Sequence, residues 1–331
     1  MRFFNNVGSR IMNGTIVVLV SGEALAGGNG STFKEQRLNA KAFAEGLYPI
    51  LQSGTKLAVL HGNKPQVGFV LFRSEVASHV LHPIPLDVCG ADTQGATGYM
   101  ISQALMNVLG QHQVERQVMS IFTQTLVEPG TPSNAPLTAI GPWFDREKAD
   151  QYRQTRGWQI VEEPGRGYRR GVPSLRPQKI LEIETIRKLV NDGDIVIAAG
   201  GGGIPVMRNS QGNLEGIEVV LETELVASKV AQQLNANILV MIIDRDDKFL
   251  LSGLTMSGVN TLSLEELDQI LSQESLRSST VKRTLDAASE FLHNGGEQVM
   301  ITSLKNLPEY LTNKRGLRIG SRQPSVELFA V

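Results

Sequence analysis

The 331 residues include a single cysteine, so neither a disulfide scaffold nor a cysteine-built metal site can be assembled from this chain. An excess of one charge is also missing: 32 Lys+Arg stand against 33 Asp+Glu, a formal charge of -1. Such a chain has no global field to gather phosphate backbones or anionic lipids, and neither nucleic acid nor a membrane is expected as a partner. No apolar run approaches the length of a bilayer span, and Met1 to Asn13 lack the apolar core of a signal peptide. A cytoplasmic protein is expected. Repeats and low-complexity tracts are absent, while a hydrophobic share of 41% supports a sizeable core.

Cys89 has Asp87 close by and no basic neighbour, the setting of a buried, unreactive thiol. Of five histidines only His79 and His82 lie close together, so no metal cluster is expected.

Short runs rich in Val, Ile and Leu predict strands at Thr15 to Val20, Lys56 to His61, Val118 to Thr123, Asp194 to Ala199, Ile238 to Asp244 and Val299 to Thr302. Between them, helical periodicity predicts helices at Phe33 to Leu51, Pro65 to Leu81, Thr97 to Leu109, Ile183 to Asn191, Glu224 to Leu234, Leu264 to Leu271 and Val281 to Leu292. Strands alternating with helices make a mainly parallel sheet covered on both faces. The alternation lapses from Glu128 to about Gln178, where prolines and Gly-Arg pairs collect, as expected of an inserted lid.

Ligands of such sheets lie beyond the carboxyl ends of the strands. Three of those positions carry glycine: Ser21-Gly22-Glu23, His61-Gly62-Asn63-Lys64-Pro65 and Gly200-Gly201-Gly202-Gly203-Ile204-Pro205. Glycine lets backbone N–H groups approach an anion, and a helix N-terminus adds partial positive charge, so an anion cleft is expected. A P-loop Gly-Lys-Ser/Thr ending and a Gly-x-Gly-x-x-Gly fingerprint are both lacking.

Taken in order, His61-Gly62-Asn63, Pro65-Gln66-Val67-Gly68, Pro85-Leu86-Asp87, Thr93-Gln94-Gly95 with Gly98-Tyr99, Ile140-Gly141-Pro142, Gly165-Arg166-Gly167-Tyr168-Arg169-Arg170 with Val172-Pro173-Ser174, and the Gly200 to Pro205 run resemble carbamate kinases of the amino acid kinase family. The resemblance implies a three-layer α/β/α sandwich around a mainly parallel sheet, with a protruding lid subdomain at about residues 129–178. It further implies an acceptor lobe over 1–205, a nucleotide lobe over 206–331, a homodimer, and ATP or ADP with magnesium as co-substrate. The expected ligand is a small anion such as carbamate or carbamoyl phosphate, contacted by Gly22, Glu23, Gly62, Asn63 and Gly200 to Gly203. Arg166 and Arg169 would serve from the lid, and Glu222, Glu224 and Asp244 from the nucleotide lobe.

Several positions depart from the family pattern. Glu23 replaces an asparagine and Lys64 a glycine, while the three family lysine positions read Thr138, Thr223 and Thr284. Phosphoryl transfer depends on placed positive charge, so these losses predict impaired transfer and a binding or regulatory role, with an enzyme of carbamoyl phosphate metabolism as a possible partner. The alternative is an active carbamate kinase with relocated cations: Lys64, and Lys282 or Arg283. A third expectation uses Glu23 and Glu222 as acid/base groups for different chemistry.

Overall fold

The computed structural model describes residues 14–27, 32–127, 132–163, 165–243, 261–272, 280–310 and 316–320. In chain order its strands are β1 (Thr15–Val20), β2 (Lys56–His61), β3 (Val118–Ser120), β4 (Gln124–Val127), β5 (Leu137–Phe144), β6 (Gln159–Glu163), β7 (Gly167–Leu175), β8 (Pro177–Ile180), β9 (Ile195–Ile197), β10 (Ile204–Arg208), β11 (Leu214–Gly216), β12 (Val220–Leu221), β13 (Ile238–Ile243), β14 (Thr261–Leu262), β15 (Gln298–Ser303) and β16 (Leu317–Gly320). The helices are α1 (Gly22–Ala26), α2 (Phe33–Gly46), α3 (Tyr48–Gln52), α4 (Lys64–Val76), α5 (Leu86–Gln111), α6 (Arg146–Arg156), α7 (Ile183–Asn191), α8 (Thr223–Gln233), α9 (Leu264–Leu271), α10 (Thr280–His293) and α11 (Leu307–Tyr310).

The eight-stranded main sheet runs β14-β16-β15-β13-β1-β2-β9-β3, and only the β15–β16 pair is antiparallel. Side chains alternate across a strand, so β1 feeds two cores. Val17 and Leu19 pack with residues of α7, α8 and α10, while Ile16, Val18 and Val20 pack with α2, α3 and α5. Each fully buried aliphatic side chain contributes about 1.5–3 kcal/mol, which is why both faces of β1 are apolar. The expected sandwich is present, and one sheet underlies both halves of the chain.

Two small sheets sit beyond the carboxyl edge. One has the order β11-β10-β4-β8, and the other has β12-β7-β5 with β6 on β7. The second sheet and α6 form the lid. Phe72 of α4 meets Phe144, Tyr152 and Trp158 of the lid with ring centroids 5.6–6.2 Å apart, an apolar clasp between the two. The antiparallel unit ends at Leu175; β8 already belongs to the other small sheet.

Several expected boundaries move for local reasons. The run Phe33 to Leu51 is two helices joined at Leu47, because Pro49 has no N–H to continue the ladder. The helix expected from Thr97 begins at Leu86 behind an extended Pro85, and this places Cys89 in its first turns, fully buried. The helix from Pro65 ends at Val76 rather than Leu81, and Val80 and Leu81 are exposed. The strand from Val118 stops at Ser120. Thr123 is instead clamped by Gln94, whose side-chain amide donates to Thr123 O and accepts from Thr123 N, each at 3.0 Å, as a neighbouring strand would. Asp244 and residues 128–131 lie outside the described residues.

Candidate functional site

Parallel pairing of β1 with β2 sets Val20 opposite His61, so the turns that follow emerge side by side. Their backbones touch: a Cβ on Gly62 would lie 2.5 Å from Gly22 N, which only glycine avoids. Gln66 Nε2 donates to Gly22 O at 3.0 Å and holds the two turns together. The tetraglycine turn after β9 closes on the same place. Gly201 has φ +66, and a Cβ there would meet the Asn63 side chain at 2.2 Å. Asn63 in turn donates to Thr93 Oγ1 at 2.7 Å, and Gln94 Nε2 donates to Gly200 O at 3.1 Å. Gly22, Gly62, Asn63 and Gly200 to Gly203 therefore converge at one edge of the sheet. His61 is buried behind them with its Nδ1 3.1 Å from Gly62 O, and burial pushes its pKa down to about 4, so the ring is neutral.

Two helices open into this cleft without side-chain caps: α4, whose first residue is Lys64, and α8, preceded by Glu222. Their first N–H groups have no intrahelical partners and carry partial positive charge. Lys64 turns inward and is 8% exposed; its Nζ donates to Glu222 Oε2 at 2.8 Å and lies 3.8 Å from Glu224 Oε2. Burial alone would lower its pKa, but Glu224 and Glu222 outweigh burial and hold it above the ordinary lysine value. Arg283 brings Nε to 3.0 Å from Glu222 Oε2. On the other oxygen, Thr138 Oγ1 donates to Glu222 Oε1 at 2.5 Å and Ser174 Oγ at 3.4 Å. Burial would raise the Glu222 carboxyl, yet Lys64 and Arg283 carry it down to about 2.

The lid reaches the cleft through Arg169, which is 2% exposed. Its Nε donates to Gly141 O at 3.0 Å, its Nη1 lies 3.3 Å from Glu23 Oε1, and its guanidinium stacks 4.9 Å above Trp143. Burial works against the Glu23 charge, but Arg169 and then Lys64 keep its pKa below the usual carboxylate value. Arg166 stays on the lid, over the Trp143 ring and 3.7 Å from Glu163. Lys282 points elsewhere: its Nζ is 2.7 Å from both oxygens of Asp286, one turn along α10. Of the two basic residues there, Arg283 is the one at Glu222. Thr138, Thr223 and Thr284 are all buried, at 3%, 3% and 1% exposure. Composition and motif reading missed the roles of Ser174 and Gln94 as ligands of this network, although both lie within the motifs quoted above.

Among the described residues, Gln66 Oε1, Arg169 Nη2 and Thr223 Oγ1 are buried without a hydrogen-bond partner. Burying such groups unpaired costs about 1–3 kcal/mol each, so their gathering around one cleft suits a polar ligand there. No cluster of three or more His, Cys, Asp or Glu among the described residues could hold a metal ion, and no helix is long and apolar enough to cross a membrane.

Known proteins share this architecture. The amino acid kinase family is matched over residues 14–303, and the chain belongs to that family. Within it the chain is similar to the carbamate kinases: it is 36% identical over 310 residues to the carbamate kinase of Pyrococcus horikoshii, covering 92% of this chain and 98% of the relative. The solved carbamate kinase of Giardia lamblia bound to citric acid superposes with a TM-score of 0.83 at 30% identity, covering 92% of this chain and 98% of that one. The same enzyme bound to AMP-PNP gives 0.78 at 31% identity with the same coverage.

Proposed function

We propose that the chain is a phosphotransferase of the carbamate kinase type, moving a phosphoryl group from ATP to carbamate or from carbamoyl phosphate to ADP. One observation carries this reading: Lys64 and Arg283, from helices more than two hundred residues apart in sequence, meet on a single carboxylate at the mouth of the glycine turns. Phosphoryl transfer asks little covalent work of a protein; it needs alignment and positive charge on the moving group. The turns at Gly62 and Gly200 to Gly203 offer backbone N–H groups for ground-state binding. Lys64 and Arg283 supply charge where the family pattern has lysines and this chain has Thr138, Thr223 and Thr284. Glu222 holds both cations at the cleft before ligand enters, and Arg169 closes the acceptor side from the lid.

ATP would supply the phosphoryl group, with its phosphates against the uncapped start of α8 and the unpartnered Thr223 hydroxyl, and with magnesium carried on those phosphates. This reading assigns the acceptor to residues 1–205 beneath the lid and the nucleotide to residues 206–331, in a homodimer.

A second reading is favoured by the charge count. Glu23, Glu222 and Glu224 offset Lys64, Arg169 and Arg283, so the cleft carries no net positive charge. On that reading the protein binds a phosphate-bearing ligand in a regulatory role and transfers phosphate poorly. Steady-state synthesis of ATP from ADP and carbamoyl phosphate separates the two. Rates of about one per second or faster support the kinase. Binding of ADP or carbamoyl phosphate by thermal shift, with no turnover, supports the regulatory reading.

A further inference from the structure

The Glu222 carboxylate has an unusual set of neighbours for an ion-pair partner. Oε2 is held by Lys64 of α4 and Arg283 of α10, at 2.8 and 3.0 Å. Oε1 accepts from Thr138 of β5 and Ser174 of β7, at 2.5 and 3.4 Å. Two cations and two hydroxyls from four separate elements thus converge on two oxygens. Lys64, Thr138 and Ser174 donate to the carboxylate while Arg283 contributes charge at 3.0 Å, a set of donors and charge that would equally suit a bound oxyanion. The donors also stand at the edge of the glycine cleft, beside the first turn of α4, where a phosphate-bearing ligand would be expected.

The energetics explain why a carboxylate should be found there. Lys64 is almost wholly removed from water, and a cation at that depth costs several kcal/mol by desolvation unless an anion stands against it, so the unliganded protein needs an anion in place. We propose that Glu222 is that internal anion: it fills the oxyanion position of the cleft, and a phosphate-bearing ligand binds by displacing it from Lys64 and Arg283. The cations stay neutralised through the exchange, while the displaced Glu222 carboxylate turns to water or to the Thr138 and Ser174 hydroxyls. Ligand affinity is lowered by the competition, and oxyanions too weak to displace a carboxylate are turned away. The inference rests on the anion cleft of the proposed function but not on its turnover, and a binding measurement tests it whether or not phosphate is transferred.

The probes are inorganic phosphate and sulfate, titrated by calorimetry and by thermal shift against the full chain, Glu222→Gln, and the double variant Glu222→Gln/Glu224→Gln, which also prevents Glu224 from taking over the vacancy. Removing the internal anion should tighten phosphate binding by about tenfold or more in at least one of the two variants. Adding Lys64→Met to that variant should abolish the gain. Glu222→Ala supplies an independent arm: it should be less stable than the parent without anions and regain stability when phosphate or formate is added. Equal phosphate affinity in the parent and in both glutamine variants, with circular dichroism showing the same fold, would overturn the proposal. A gain that persists after Lys64→Met would overturn it as well, because the phosphate would then be bound elsewhere.

Discussion

The two walls of the cleft are built from different materials. One is backbone: the turns at Gly22, Gly62 and Gly200 to Gly203 approach so closely that side chains are excluded, and their N–H groups are fixed by the sheet register. The other is side chain: Lys64, Thr138, Ser174 and Arg283, gathered from four elements onto the Glu222 carboxylate. The backbone wall is fixed by strand register and close glycine contacts, whereas the side-chain wall depends on ion pairs and hydroxyl contacts between separate elements. Geometry set by hydrogen-bonded strands cannot be altered one residue at a time without breaking the packing, but a charge can move to any neighbouring position from which it reaches the same point. On the proposed kinase reading, ground-state binding and transition-state stabilisation would therefore have separate structural origins.

The sharpest way to break the side-chain wall is Lys64→Met. It strips Glu224 of its cation and leaves Glu222 with Arg283 alone, so stability should fall by about 3 kcal/mol in denaturant titration, the low end for a broken buried pair. Turnover should fall about a hundredfold or more if Lys64 neutralises the moving phosphoryl group. The backbone wall is tested one turn further along α4. A Cβ on Gly68 would sit 2.1 Å from Gly141 N of the lid strand, with backbone on both sides and nothing flexible to yield. Gly68→Ala should cost about 2 kcal/mol and displace the lid. A cost within experimental error would show that lid and helix are less tightly joined than they stand here.

Acid separates the walls again. His61, behind the glycine turns, is buried neutral with its pKa pushed from 6.5 to about 4, so its contribution is full above about pH 6.5 and is lost as pH falls towards 4. Glu222 is held down from 4.5 to about 2, so its contribution is full above about pH 4.5 and is lost as pH falls towards 2. Between pH 4.5 and 2.5 the Glu222→Gln variant should lose stability less steeply than the parent, by up to about 1.4 kcal/mol per pH unit. Identical slopes would mean that Glu222 is not ion-paired in the folded protein. The smallest effect is expected at Lys282→Ala, which removes a part-exposed pair with Asp286 on the same helix. Stability should change by less than about 0.5 kcal/mol, and turnover should stay as it was, while Arg283→Ala lowers it.

Much of the main sheet was legible because its strands are short, apolar on both faces and bounded by glycine. Helices α7 and α9 match their periodicity to the residue. In α9 a capping box between Ser263 and Glu266 marks the start, and after α7 Gly193 at φ +96 marks the stop. The first turns of α5 were hidden because Leu86 to Ala96 carries Asp87, Asp92, Gly90 and Gly95, which dilute any apolar stripe. Cores to either side, and not propensity, hold that segment helical. At the site, the glycine turns could be read because backbone demands leave a residue signature. The pairing of Lys64 with Glu222, 158 residues apart, leaves none. The choice between Lys282 and Arg283 is a matter of helical phase: Thr284 faces the core, Arg283 is about 100° from it, and Lys282 is about 200° round and lands above Asp286.

Arg169 and Arg170 are neighbours on β7, and a strand sends successive side chains to opposite faces. Arg169 reaches Glu23 over the cleft, while Arg170 pairs with Glu75 on α4 at the back of the lid. A single peptide unit thus bolts the lid to the body on both sides. Loss of either pair leaves the lid tied by the other, so Glu75, behind the lid, shares with Glu23 the task of holding Arg169 and its neighbour in place over the cleft.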